Sequence, residues 1–393
     1  MRFLASLFGL MLLALAGAPE AFAQAPAQAN ACPRPAANWT DTETKVWQQL
    51  CEDGTADITP PYGRMEPPQA GQPAPENLLS GMFVRQILTD LPYRDALPSV
   101  TIAGAMVTSA VDLNKRSIPM NVTFEQSHFL EGIVLSETQM RGSWTCRQCY
   151  SPMGVAARQA LVGGGFDFTG TQMQGPLDMG AAIVQGDVKA AGASFSAVVG
   201  RGMTVRGSLD LDGAKVPEVV LGGAQIIGDA RLSLGGAGTV TVHIASARVG
   251  GELVLVARGG WPQNVRIDLT GTSAGALTPP SPWPAATEAR DFEVDRASPA
   301  VAQWILERLN RATRTDVEAY THLAGAATAG GNAELARQIQ RTLRDRQRAD
   351  ATGSERFWMT VEDLGWISYA IAAALLGLIG WFAMSTYRRR AAE

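Results

Sequence analysis

The residues best equipped for chemistry are Cys146 and Cys149, in the run Cys146-Arg147-Gln148-Cys149. Outside the cytosol a C-x-x-C pair supports thiol exchange when its first cysteine starts a helix, because the helix dipole stabilises the thiolate. The same spacing also suits a metal pair, or two small apolar residues packed inside a fold. Of the histidines, His128, His243 and His322, the first two have no cysteine or carboxylate placed beside them and are expected at the surface. Asp210, Asp212 and Glu218 are spaced to project from neighbouring segments, as in a carboxylate row that binds sugars, but no row of aromatics accompanies them. No His-Glu-x-x-His, G-x-S-x-G, phosphate-binding loop or dinucleotide glycine motif occurs. No catalytic residue is expected beyond the weak alternative of the Cys146/Cys149 redox pair, and no cofactor or metal.

The segment that must position these residues runs from Pro98 to about Val242 and repeats every ten or eleven residues. Apolar or small residues fall at offsets 2, 4, 7 and 9 of each rung. Met120 begins Val122, Phe124, Ser127 and Phe129; Gly164 begins Phe166, Phe168, Thr171 and Met173; Gly207 begins Leu209, Leu211, Ala214 and Val216. Residues two apart share one side of an extended segment, whereas a helix would rotate them off a common face. The pattern predicts a chain that turns a corner about every five residues, with two rungs closing one four-sided coil. A unit this short cannot bury its own apolar side, so coils must stack. Gly142, Gly164, Gly186, Gly207 and Gly228 recur one coil apart. They suit corners, where positive φ or close backbone approach is needed. Roughly eight coils at about 4.8 Å each would make a filled rod about 40 Å long. Counted from Gly142, Cys146 and Cys149 take inward positions, which favours a packing role or a bridge across a corner.

Ala181-Ala182-Ile183, Ala193-Ser194-Phe195, Ala214-Lys215-Val216 and Ala224-Gln225-Ile226 pair a small residue with a larger apolar one two positions on. In this the chain resembles the pentapeptide-repeat family. The resemblance implies a right-handed, four-sided parallel β-helix and covers less than half of the chain. The eleven-residue rungs and the scarcity of Asp or Asn between the paired positions depart from the family pattern. The whole layout is also similar to proteins labelled membrane-associated oxidoreductases, although no residue here would carry out hydride or electron transfer.

The ends suggest a compartment. Residues 1–23 read as a secretory signal, with Arg2, an apolar stretch and Ala21-Phe22-Ala23 before the cut. Residues 364–386 read as one transmembrane helix: Trp366 to Met384 carries no charge, and Trp366, Trp381 and Tyr387 mark an aromatic belt. Arg388, Arg389 and Arg390 in the tail 387–393 place it in the cytoplasm by the positive-inside rule. The Ala-, Gly- and Arg-rich composition looks bacterial, so the bulk of the chain is expected in the periplasm, anchored to the inner membrane. The net charge of −4 and the external location argue against nucleic acid.

The remaining segments frame the ladder. Residues 24–95 are expected to hold a linker and capping helices. Thr40 or Asp41 caps a helix bearing Val46, Trp47 and Leu50, and Cys32 and Cys51 are positioned to form a disulfide in an oxidising compartment. The β-solenoid is assigned to 96–278, ended by the prolines of 279–284. A helical hairpin stalk follows over 285–350, with Ser298-Pro299 opening its first helix and Arg337, Arg341, Arg344, Arg346 and Arg348 forming a solvated basic face. The expected fold class is mainly β. The expected role is a non-enzymatic scaffold that binds a protein partner in the envelope and touches the lipid bilayer through one helix. Thiol oxidoreduction at Cys146/Cys149 and cell-wall glycan binding are the alternatives.

Overall fold

A computed structural model describes residues 32–60, 76–234, 239–257, 264–312, 315–351 and 373–381. The chain is mainly β and winds as a parallel solenoid with four strand positions per coil. The first face stacks Ser99–Ala103, Asn121–Glu125, Trp144–Arg147, Phe166–Asp167, Val188–Lys189, Leu209–Asp210 and Ala230–Leu234. The second runs from Leu78–Leu79 to Gln172–Met173 and continues through single bridges at Ser194 and Lys215. The third is a sheet of nine strands from Val111–Asp112 to Ala286–Glu288, which spans eight turns. The fourth begins at Ser117–Ile118 and Gln139–Met140. It merges with the first in the long strand Arg248–Ala257.

The expected inward residues line a dry core. Val122, Phe124, Ser127 and Phe129 are fully buried, as are Leu209, Leu211 and Ala214, and the other rungs follow. Local turn chemistry explains the repeat. The residue at offset 7 donates its N–H to the carbonyl at offset 4, as in Ala160 to Ala157, Thr171 to Phe168 and Ala214 to Leu211 (3.1–3.3 Å). Each such β-turn needs a left-handed residue at its third position. Glu137, Gln159 and Ala181 hold it at φ 55–56°, and Gly202 and Gly223 at 62° and 69°. In most coils the fourth turn residue points into a crowded corner and is Ala, Ser or Thr; Met203 and exposed Arg116 depart from this.

The glycines expected at corners serve close approach alone. None of Gly142, Gly164, Gly186, Gly207 and Gly228 has positive φ. They form a continuous chain of hydrogen bonds from each N–H to the glycine carbonyl of the preceding coil, at 2.7–3.1 Å, extended to Gly251. A Cβ on Gly207 would lie 2.7 Å from the Gly186 carbonyl carbon. Next to this chain, Asn121, Ser143, Asp187, Ser208 and Asp229 each accept the N–H of the residue stacked on the following coil.

The solenoid exceeds its expected limits at both ends. Thr55–Asp57 pairs with Ser99–Ala103, and Leu78–Leu79 with Met106–Val107, so an incomplete coil precedes Pro98. The prolines of 279–284 do not end the stack, because Ala286–Glu288 and Glu293–Arg296 pair with the coil before. A proline run can occupy a corner where no ladder N–H is required.

Helices close both ends. α1 (Asp41–Asp53) starts with a capping box of Thr40 and Glu43, and buries Val46, Trp47 and Leu50 as expected. Buried Glu43 also accepts the N–H and hydroxyl of Ser80 (2.9 and 2.6 Å), the N-cap of α2 (Gly81–Thr89), and so ties the two helix starts together. The short α3 (Tyr93–Ala96) leads into the first full coil. At the other end, Ser298 caps α4 (Pro299–Arg311), and α5 (Val317–Ala329) and α6 (Ala333–Asp350) form the hairpin. Arg346 is not on a solvated basic face. Its guanidinium donates to the carbonyls of Leu309, Asn310 and Ala312 (2.6–3.0 Å) and closes the C-terminus of α4.

Residues 373–381 are helical and exposed, Trp381 among them. Among the described residues no helix is long and apolar enough to cross a membrane. The rest of 364–386, with Trp366, and the tail residues Tyr387, Arg388, Arg389 and Arg390 lie outside the described residues, as does the signal at 1–23.

Two glycine substitutions test the corner logic. Gly207→Ala should destabilise the chain by about 3 kcal/mol, because backbone must move. Ala181→Gly should be neutral or stabilise by up to about 1 kcal/mol through relief of a left-handed alanine. Urea midpoints read both; equal losses at the two sites would refute the distinction.

Candidate functional site

Cys146 and Cys149 occupy the first and fourth positions of a corner turn, with Gln148 left-handed between them (φ 53°). Their sulfurs are bonded, with Cα atoms 5.6 Å apart, and both residues are buried. They stand where Phe168 and Thr171 stand one coil later, and Cys149 Sγ lies 3.7 Å from the Phe124 carbonyl as Thr171 Oγ1 approaches that of Cys146. The pair starts no helix, and Trp144, Phe124 and Phe129 pack around it. Cys32 and Cys51 are likewise bridged, Cα atoms 5.9 Å apart, which holds the segment before α1 against that helix.

His243 is exposed as expected, but the surface position expected of His128 fails. His128 is buried rather than at the surface, its ring 5.3 Å from that of Tyr150 on the next coil, and burial lowers its pKa. An outward position is covered when bulky residues stand above and below it in the same column. His243 has a carboxylate beside it after all: Asp268, its partner in register, places Oδ2 3.8 Å from Nδ1. Burial pushes the Asp268 carboxyl up, but the N–H and hydroxyl of Thr270, with His243, together hold it below the ordinary range. Asp210 and Glu218 lie on the first and third faces and do not form one row. In register, Asp210 stands between Lys189 and Arg231. The first face is in fact laced with opposite charges, including Arg147–Asp167 (2.7 Å) and Lys189–Asp187 (3.4 Å). Among the described residues no His/Cys/Asp/Glu group could hold a metal ion.

The cavity that could receive a ligand lies where the ladder stops. A cleft of about 770 Å³ separates the last coil, residues 287–294, from α4 and α5, a size within the range of ligand sites. Its apolar wall includes Phe292, Trp304, Ile305, Leu309 and Leu323. Trp304 stacks on Trp283 with ring centres 3.8 Å apart, and the Arg308 guanidinium lies 3.8 Å from the centre of Trp304 and 6.0 Å from that of Trp283. Arg308 also donates to the Thr287 carbonyl at 3.5 Å. Burial depresses its pKa, with the charge of Arg311 adding to that and Glu307 opposing it. Exposed Glu288, Asp291, Glu293, Asp316 and Glu318 rim the opening. This cleft is not legible in the sequence, since one helical hairpin alone offers no groove. Trp304 and Arg308, four apart on α4, were the available sign.

No protein-family model, curated protein or solved structure matches this chain.

Two measurements follow. After mild reduction, Cys146 and Cys149 should still resist maleimide labelling in the folded chain and react once denaturant is added; fast labelling of Cys146 in the reduced, folded chain would favour thiol exchange. Stability should also fall on acidification. The Ser208 N–H holds the Asp187 carboxyl below its ordinary 3.8 against burial, with Lys189 assisting. At Asp167 burial pushes upward, but Thr169 and Arg147 outweigh it. Carboxylates lowered in the folded state contribute fully above the unfolded value and lose that contribution as pH falls through the folded one. Urea midpoints should therefore drop as pH falls below 3.8, less steeply in Asp187→Asn, on top of a fall that starts below 6.5 from buried His128.

Proposed function

We propose that this chain is a rigid display rod that binds a protein partner in the bacterial envelope. The reading includes a secretory signal at 1–23 and an inner-membrane anchor at 364–386 that leaves the rod in the periplasm. It also takes the solenoid as pentapeptide-repeat-like. The observation that carries it is the division of labour within each coil. Inward side chains fill a dry interior, and outward ones are held in columns by a stacked backbone, a surface suited to recognition rather than to a deep reaction pocket. The apolar pair Leu161 and Ile183, adjacent on the fourth face and exposed at 44% and 39%, is one such display position. Buried Cys146 and Cys149 weigh against thiol exchange as the main activity.

Photocrosslinkers placed in living cells at Leu161, Ile183, Gln139 and Thr123 test the reading. A discrete protein adduct from one column and silence from the others is expected. Silence from every outward column would count against a display role.

A further inference from the structure

Each coil bonds to the coils on both sides, and among the described residues the last coil has none beyond it. Along the third face, Ile244 and Ser246 donate their N–H groups to Asp268 and Thr270 of the next coil (3.0 and 2.8 Å). Leu269 and Gly271 repeat this to Glu288 and Arg290 (2.8 and 2.7 Å). The equivalents in the last coil are Ala289 and Asp291. No coil follows, and among the described residues no acceptor meets their N–H groups. The first face is treated differently, since α5 lies over Glu293–Arg296 and the Ala297 N–H donates to the Ala326 carbonyl (3.0 Å). The edge is thus left open at Ala289 and Asp291, beyond Thr287, whose carbonyl Arg308 takes, and this stretch forms one wall of the cleft beneath α4 and α5.

We infer that this edge takes an extended basic peptide of a protein partner, which adds as one more strand of the third face. The proposal rests on the display-rod reading and names where and how the partner binds. Open strand edges are templates for pairing, and strand addition obtains affinity from main-chain bonds and specificity from alternate side chains. Carbonyls of the incoming strand would accept from Ala289 and Asp291, and its N–H groups would donate to the Ala289 carbonyl. Side chains on one side would lie on Trp304, Ile305 and Leu309. Five carboxylates against two guanidiniums line the cleft, so the complementary strand carries Lys or Arg. Arg308 adds no demand for an anion, because it is stacked on Trp304 and bonded to Thr287.

The test uses the full-length chain in detergent and a fluorescent peptide of alternating Lys and Val. Saturable binding that weakens with salt is expected. Two further peptides carry N-methyl groups on alternate amides, one in each register. Since a bound strand offers only one edge, one should lose binding and the other keep it. Glu293→Lys with Glu318→Lys, both exposed and outside any cap, should weaken binding roughly tenfold with unchanged circular dichroism. No binding, equal binding of both N-methylated peptides, or equal binding of a Glu/Val peptide would each overturn the proposal. A photocrosslinker at Glu318 separates this failure from that of the display reading: adducts from Leu161 with none from Glu318 would sink the cleft and leave the rod.

Discussion

The hydrogen bond between one coil and the next constrains everything else in this molecule. Parallel strands sit about 4.8 Å apart, and every corner of the coil has to close at that same rise. At the corner of Gly142, Gly164, Gly186, Gly207, Gly228 and Gly251 the backbones come too close for a Cβ, and glycine donates to glycine along the rod. The residue after most of these glycines is Ser or Asp, whose side chain bonds to the coil that follows. Two other corners turn through left-handed residues, held by Gln, Glu, Lys, Ala or Ser where no glycine stands. Inward side chains then share a core whose width is fixed by four short edges, which accounts for Ala or Thr at the tight turn and Val, Leu or Phe along the sides.

A stack of this kind has no intrinsic end, and its two termini are closed by different chemistry. At the start, α1 and α2 lie over the first coils, and one buried carboxylate, Glu43, bonds the beginnings of both helices. At the far end, α5 covers the first face alone, and Arg346 holds the end of α4 through three carbonyls. The third face stays uncovered, with the cleft over it. Among the described residues an open strand edge and a rim of carboxylates therefore sit together where the ladder stops. On the first face, lysines, arginines and aspartates neutralise one another from coil to coil. Within the rod, Cys146 and Cys149 serve the corner geometry that Phe168 and Thr171 serve above them.

Much of the architecture could be read from spacing. Offsets of two and five residues report side-chain alternation and corner turns, both local properties, so the inward set was legible down to Cys146 and Cys149. Helix starts at Thr40 and Ser298 were legible for the same reason, because a cap is read within four residues. The reason for the corner glycines was only half visible. Glycine signals either positive φ or close approach, and which of the two applies depends on the coil above.

What the sequence determined by itself is the periodic interior of a stacked coil, since that pattern is set by neighbours along the chain. The tertiary structure decided what depends on residues some twenty positions apart. Those outcomes are the burial of His128 beside Tyr150, the pairing of His243 with Asp268, the coil beyond the prolines of 279–284, and the cleft at the last strand. Coil length shifts from 22 to 21 and then varies towards the end, as the registers Phe166↔Val188, Val188↔Leu209 and Ala230↔Leu253 show. Residues in the outward columns therefore meet only after the coils have stacked, and no local pattern records which ones do.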